Sequence, residues 1–282
     1  MKLHAIETGR FKLDGGAMFG VVPKPLWERT NPSDAKNRID MAMRCLLIED
    51  GDRLILVDTG LGHKYTEKFA GLYAVDHAHS SLDRSLEQLG YGREDISDVI
   101  LTHLHFDHCG GCTEWNPVRD RHELVFPEAI HWVQKEHLAW ALAPNDREKA
   151  SFYDENIQPI VQSGNLRLLE GETELFPGIN LKVVNGHTEG QQLPLIDYKG
   201  KKLLFAADLF PTFGHLPLPY VMGYDMRPLL TLEERKKFLP WLIDEEIILF
   251  YEHDPYHECG LVSRNAKGGF VSGETFQLSE IS

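Results

Sequence analysis

The apolar run Val99-Ile100-Leu101 leads straight into "THLHFDHCGG", which sets His103, His105, Asp107 and His108 within six positions. Few folds accommodate that stretch. Val-Ile-Leu reads as a buried strand, and strand residues alternate sides, so His103 and His105 point the same way from its end. Imidazoles crowded this closely repel one another whenever they protonate together, unless a cation takes their lone pairs. The pattern therefore predicts a metal site at a strand terminus, with Asp107 and His108 addressing a second point after the chain turns. Gly110 and Gly111 supply the backbone freedom a tight turn there requires.

The remaining sequence is patterned to build sheets around that strand. Apolar, β-branched runs recur at 43–49, 53–58, 98–103, 165–170, 179–184, 192–198, 202–208 and 247–253, most of them bounded by Gly, Asp or Asn. Helical patterns at 79–90, 134–143 and 231–246 fall between them. The first has a Ser cap and a closing Gly, the second stops before Pro144, and the third opens on a Thr231 cap and is expected to kink or split at Pro240. "DYKGKKL" (197–203) reads as a hairpin turn. Such mixing predicts an α/β (α+β) fold, with sheets packed together and helices outside. No Pro/Gly/Ser-rich linker or composition break interrupts the 282 residues, which predicts a single domain, 1–282.

Charge narrows the partners. The formal net charge is −14 and the Lys and Arg residues are scattered, which disfavours nucleic acid. No apolar run reaches membrane-spanning or signal-peptide length, so a cytoplasmic protein without a membrane partner is expected. Four cysteines (Cys45, Cys109, Cys112, Cys259) agree with a reducing compartment. Cys109 and Cys112 have C-x-x-C redox spacing, but their overlap with the histidine run favours coincidence. His77-x-His79 repeats the His103-x-His105 spacing without the aspartate or the strand, and reads as a solvated helix entry. Pro255 argues against one helix carrying both His253 and His257.

Taken together, "LVDTG" (56–60), "THLHFDHCGG" (102–111), "NGHTEGQ" (185–191), "FAADL" (205–209) and "YEHDP" (251–255) resemble, in order and separation, the motifs of the metallo-β-lactamase superfamily of dinuclear metal hydrolases. The resemblance runs along nearly the whole chain and implies an αββα sandwich with the site at one edge of two sheets. It assigns His103, His105 and His187 to one metal and Asp107, His108 and His253 to the other, with Asp208 bridging. The cofactors implied are two divalent ions, zinc first, with manganese, iron or cobalt compatible with the same N/O donors. Asp58 is implied to accept a hydrogen bond from a ligating imidazole.

Within the superfamily, His105 in place of Glu favours hydrolysis over oxygen or nitric oxide reduction. Asp208 separates the chain from true β-lactamases. The short interval before His253 separates it from nucleic-acid-cleaving members, and the short tail after His253 from glyoxalase II. The branch left is that of N-acyl-homoserine lactonases and organophosphate hydrolases, and "GGAMFGVVPKPLW" (15–27) resembles the apolar loop that covers the site there. Met18, Phe19, Trp27, Phe213, His215, Tyr220 and Tyr224 are the expected pocket residues. Where that branch places a tyrosine, this chain has Pro211, leaving Tyr220, Tyr224 or His215 to orient the substrate carbonyl. The implied reaction is quorum-quenching lactone opening by a hydroxide shared between two ions, with Asp107 relaying the proton. A phosphotriesterase or arylesterase is the alternative enzyme, and a non-catalytic metal-holding regulatory module the alternative from another class. Apolar segments at 18–27 and 209–225 also suggest a homodimer.

Overall fold

The computed structural model describes residues 1–282. They form two compact units, one of residues 1–11 and 43–171, the other of residues 12–42 and 172–282.

The first unit is built on a six-stranded sheet of β1 (Lys2–Asp14), β2 (Arg38–Asp50), β3 (Arg53–Val57), β4 (Asp98–Ile100), β7 (Ile130–Gln134) and β8 (Leu166–Leu169), in the order β1-β2-β3-β4-β7-β8. A separate hairpin pairs β5 (Thr113–Trp115) with β6 (His122–Leu124). The pairs β3–β4, β4–β7 and β7–β8 are parallel. Every residue of β4 is buried, as expected for a strand covered on both faces. Leu47, Leu56, Val99, Leu101, Phe126 and Val133 form its core. Register then positions the chemistry: Val57 lies opposite Ile100, so the chain leaves β3 and β4 side by side at their C-terminal ends.

The second unit carries seven strands: β9 (Thr173–Phe176), β10 (Ile179–Val184), β11 (Gln191–Tyr198), β12 (Lys201–Phe205), β13 (Ile248–Phe250), β14 (Cys259–Arg264) and β15 (Phe270–Phe276), ordered β15-β14-β13-β12-β11-β10-β9. β12 and β13 are parallel, and β11 runs antiparallel to both β10 and β12. The C-terminal ends of β10, β12 and β13 therefore share one sheet edge. The β11–β12 hairpin turns through Lys199 and Gly200, with φ of 52° and 76°. Two left-handed residues in succession give the turn whose twist matches its strands.

All eight expected strands occur; β1, β5, β6, β7, β9, β14 and β15 are additional to them. The last long helix differs from its expectation. It spans Pro228–Asp244, with Pro228 in the first turn, where a missing N–H costs nothing. Thr231 is therefore buried inside the helix instead of capping it, and the helix runs unbroken through Pro240 while Leu239 and Leu242 bury its inner side. His77 is also corrected: it is no solvated helix residue, since its Nδ1 lies 2.9 Å from Thr8 O and its Nε2 3.2 Å from Gly62 O. No helix is long and apolar enough to cross a membrane.

Candidate metal centre

In the first unit the signature histidines follow β4, and Asp58 follows β3. Asp58 N–H bonds Ile100 O at 3.0 Å, and its carboxylate accepts from Thr102 N–H at 2.7 Å and from the Thr102 hydroxyl at 2.6 Å. Having given its proton to Asp58, Thr102 Oγ1 can only accept from His103 Nδ1, 3.0 Å away. His108 Nδ1 donates to Asp58 directly at 3.1 Å. One buried carboxylate thus fixes two imidazoles, and both keep their lone pair on Nε2. His105 is held the other way round, Nε2 to Glu148 Oε1 at 2.9 Å, which leaves the lone pair on Nδ1. The ring centroids of His103 lie 4.5 Å from those of His105 and 3.9 Å from those of His108. Asp107 and His108 bring ligand atoms within 4.8 Å of each other, as do His103 and His105. All four side chains are buried.

Backbone contacts set this geometry. Thr59 N–H and its hydroxyl both donate to His108 O, at 2.8 and 2.9 Å, and Gly111 N–H donates to Gly60 O at 2.8 Å. A Cβ on Gly110 would stand 2.3 Å from Leu61 O, and one on Gly111 2.2 Å from Thr59 O. Glycine is required there for close approach. Between them and around them, burial pushes the Cys109 thiol up and the Cys112 thiol up to about 12. Neither is a thiolate at neutral pH, so the C-x-x-C spacing carries no redox nucleophile.

The second unit gathers His187, Asp208 and His253 at the shared edge of β10, β12 and β13. Asp208 Oδ2 lies 3.1 Å from His187 Nε2, and its Oδ1 lies 3.3 Å from His253 Nε2. Each imidazole is backed on its far side, His187 Nδ1 by Asp225 at 2.9 Å and His253 Nδ1 by Ala42 O at 2.9 Å. Burial opposes charge on His187, but Asp208 and Asp225 outweigh it and raise its pKa to about 10. Glu234 takes the Asn185 and Gly186 amides at 2.6 and 3.1 Å, fixing the loop before His187. Asp254 takes Phe213 N–H at 2.8 Å, tying the loop of His253 to the apolar segment.

In that segment Phe19 stacks between Trp27 and His215, with centroids at 5.2 and 4.2 Å, and Tyr220 meets Phe19 edge-on at 6.0 Å. Met18, Phe19 and Trp27 are buried; Phe213, Tyr220 and Tyr224 are partly exposed. His215 is fully buried, accepting from Thr212 Oγ1 at 2.7 Å and donating from Nε2 to Met18 O at 2.9 Å. Burial and Arg235 push its pKa down to about 3. With both nitrogens engaged by the protein, His215 is a neutral post for the Met18–Phe19 segment and has no N–H left for a substrate carbonyl. Of the carboxylates that back the imidazoles, sequence reasoning found Asp58 and missed Glu148 and Asp225. Asp225 had a signal, being the single charged residue of 209–225.

The donor chemistry of each unit fits a metal: in the first, three buried imidazoles, each with one nitrogen engaged as donor, beside Asp107; in the second, the buried His187 and His253 beside Asp208. A model of the metallo-β-lactamase superfamily matches residues 44–253. An N-acyl homoserine lactonase of Bacillus cereus is 26% identical over 272 residues, spanning 92% of this chain and 95% of its own. A solved structure from Staphylococcus aureus, described as "a probable metal-dependent hydrolase", is 30% identical, with a TM-score of 0.87 and 98% of both chains covered. A dizinc quorum-quenching lactonase, solved with the product N-hexanoyl-L-homoserine, is 26% identical with a TM-score of 0.78, covering 98% of this chain and 95% of that one. The chain belongs to the metallo-β-lactamase superfamily: it has that fold and is a metal-dependent hydrolase with metal-binding His and Asp clusters.

Proposed function

We propose that the protein is a lactonase acting on N-acyl-homoserine lactones or close relatives, through a dinuclear zinc centre. His103, His105 and His187 would hold one ion, Asp107, His108 and His253 the other, and Asp208 both. The observation that carries this reading is Asp208, which offers one oxygen to each of two imidazoles. A carboxylate so divided suits two cations. The names of the Bacillus cereus relative and of the dizinc lactonase support the substrate class.

When bound, divalent ions would supply Lewis acidity, lowering the pKa of a water towards about 7 and polarising a carbonyl. The chain does the rest. Asp58, Glu148, Asp225 and Ala42 hold the imidazole tautomers, so no reorientation accompanies binding. Asp107 would take the proton that the attacking water gives up and return it to the ring oxygen as the lactone C–O bond breaks. Phe213, Tyr220 and Tyr224 of the uncharged segment 209–224, backed by the buried Met18, Phe19 and Trp27, would form an apolar wall suited to an acyl chain, with Tyr220 or Tyr224 donating to the substrate carbonyl.

Zinc-loaded protein assayed on acyl-homoserine lactones, aryl esters and phosphotriesters is expected to show its highest kcat/KM on the lactones. Higher kcat/KM on phosphotriesters or aryl esters would replace the substrate class. Two bound zinc ions with no turnover on any of them would favour a regulatory module.

A further inference from the structure

One flank of the histidine signature is gripped, residue by residue, by a segment with no ligand in the centre. Leu104 N–H donates to His137 Nε2 at 2.7 Å, His105 Nε2 meets Glu148 Oε1 at 2.9 Å, and Phe106 N–H donates to Ser151 O at 3.0 Å. Three consecutive residues are thus held by residues 137–151. The middle grip is the one with chemical consequence. Glu148 is only 2% exposed. Its second oxygen accepts from Trp140 Nε1 at 2.5 Å and from Asn145 Nδ2 at 3.4 Å. Asn145 Oδ1 also takes the Glu148 backbone N–H at 3.1 Å, so one side chain steadies both ends of the glutamate. Burying a carboxylate is costly unless its oxygens are satisfied, and here the scaffold satisfies them with donors whose positions are fixed by the helix Lys135–Leu142 and the turn after it.

We infer that Glu148 is a positioning residue of the metal centre: it takes the Nε2 proton of His105, presents Nδ1 to the cation and strengthens that nitrogen as a donor. This rests on the reading of His105 as a ligand. His103 and His108 keep their lone pair on Nε2, so His105 is the member of the trio whose ring must be turned, and Glu148 is what turns it. A carboxylate behind a ligating imidazole raises its basicity, and loss of such a partner typically costs about 10–100-fold in metal affinity. A plain structural prop would owe nothing to its charge.

The test compares Glu148→Gln, which removes the charge at constant size, with Trp140→Phe, which removes the indole hydrogen bond to the other oxygen of Glu148 and leaves its charge on His105. Zinc affinity is read by chelator competition and the His105 tautomer by long-range 1H–15N NMR of the zinc-loaded protein. Expected are about 10–100-fold weaker zinc binding in Glu148→Gln, near-wild-type binding in Trp140→Phe, and a proton on Nε2 of His105 in the wild type. Equal affinities in wild type and Glu148→Gln, equal losses in both variants, or a wild-type His105 protonated on Nδ1 would each overturn the inference. The wild-type NMR decides even if a variant fails to fold. A folded wild type that takes up no zinc would instead overturn the metal-centre reading, and this inference with it.

Discussion

Nδ1 of His108 lies 3.1 Å from Oδ2 of Asp58, with both side chains shut off from solvent. The same carboxylate reaches His103 through the Thr102 hydroxyl, so it governs two imidazoles at once. Its backbone sits at φ 56°, a conformation asparagine adopts readily, which makes Asp58→Asn a clean probe. An amide offers one acceptor oxygen where the carboxylate offers two, so either Thr102 N–H loses its acceptor or the Thr102 hydroxyl and His108 lose theirs together. Zinc affinity and kcat/KM are each expected to fall about 10–100-fold with the fold retained, measured by chelator competition and steady-state kinetics.

Asp208→Asn attacks the centre itself. Its two oxygens face different histidines, and an amide can coordinate through only one of them. The metal content is expected to drop from two ions to one, with turnover down by more than about 100-fold, beyond the usual effect of an outer partner. Elemental analysis alongside lactone hydrolysis checks both. Two retained ions with wild-type turnover would remove Asp208 from the bridging position.

The pH dependence of metal uptake follows from His187. Its pKa is raised from 6.5 to about 10 in the metal-free fold, so the stability gained by placing this imidazolium between Asp208 and Asp225 is full below pH 6.5 and lost as pH rises through about 10. At pH 7 an incoming cation must displace that proton. Affinity should therefore climb with pH by up to about tenfold per unit over this window. Calorimetry in buffers of different ionisation enthalpy should register proton release on zinc binding at pH 7; a buffer-independent heat would contradict it.

Legibility divided along physical lines. The strand and the cluster of His and Asp side chains after it were visible because strand periodicity and imidazole crowding are local in sequence. So was the Lys199–Gly200 hairpin, whose turn chemistry is local. Glu148 was invisible because it follows β4 by a whole β7–helix excursion, and nothing in "NDREKA" distinguishes it from a solvated charge. His215 was misjudged because its position on an apolar loop says nothing of which way it faces; tertiary stacking against Phe19 turned it inward. Thr231 failed as a cap because Pro228, three residues earlier, already supplies a favourable first turn.

Acid sensitivity has a source outside the metal centre. His131 on β7 is fully buried, with Nδ1 3.1 Å from Ala129 O, and burial lowers its pKa from 6.5 to about 4. The unfolded chain thus binds a proton that the folded chain refuses, so stability is full above pH 6.5 and lost as pH falls towards about 4, by an amount on the order of 3 kcal/mol. In His131→Leu the urea midpoint should fall less steeply over that interval than in the wild type. Parallel curves would assign the acid loss to other groups.

Two glycines should respond in opposite directions to the same added methyl. A Cβ on Gly111 would lie 2.2 Å from Thr59 O and 3.0 Å from Thr59 C, where two backbones meet and neither is a flexible tip. Gly111→Ala must push the Thr59–Gly60 loop off the signature, straining the Thr59 N–H bond to His108 O and displacing that ring. A cost of about 1–3 kcal/mol is expected, with activity falling further than stability alone explains. Gly71 lies inside the helix Glu67–Tyr73 with no atom within 4 Å of its added Cβ. Gly71→Ala removes unfolded-state freedom without a clash and should stabilise by about 0.5–1 kcal/mol at unchanged kcat/KM. Denaturant midpoints of the two variants, measured on zinc-free and zinc-loaded protein, separate a local helix effect from one transmitted through His108, because only Gly111→Ala should also reduce the stabilisation that zinc confers.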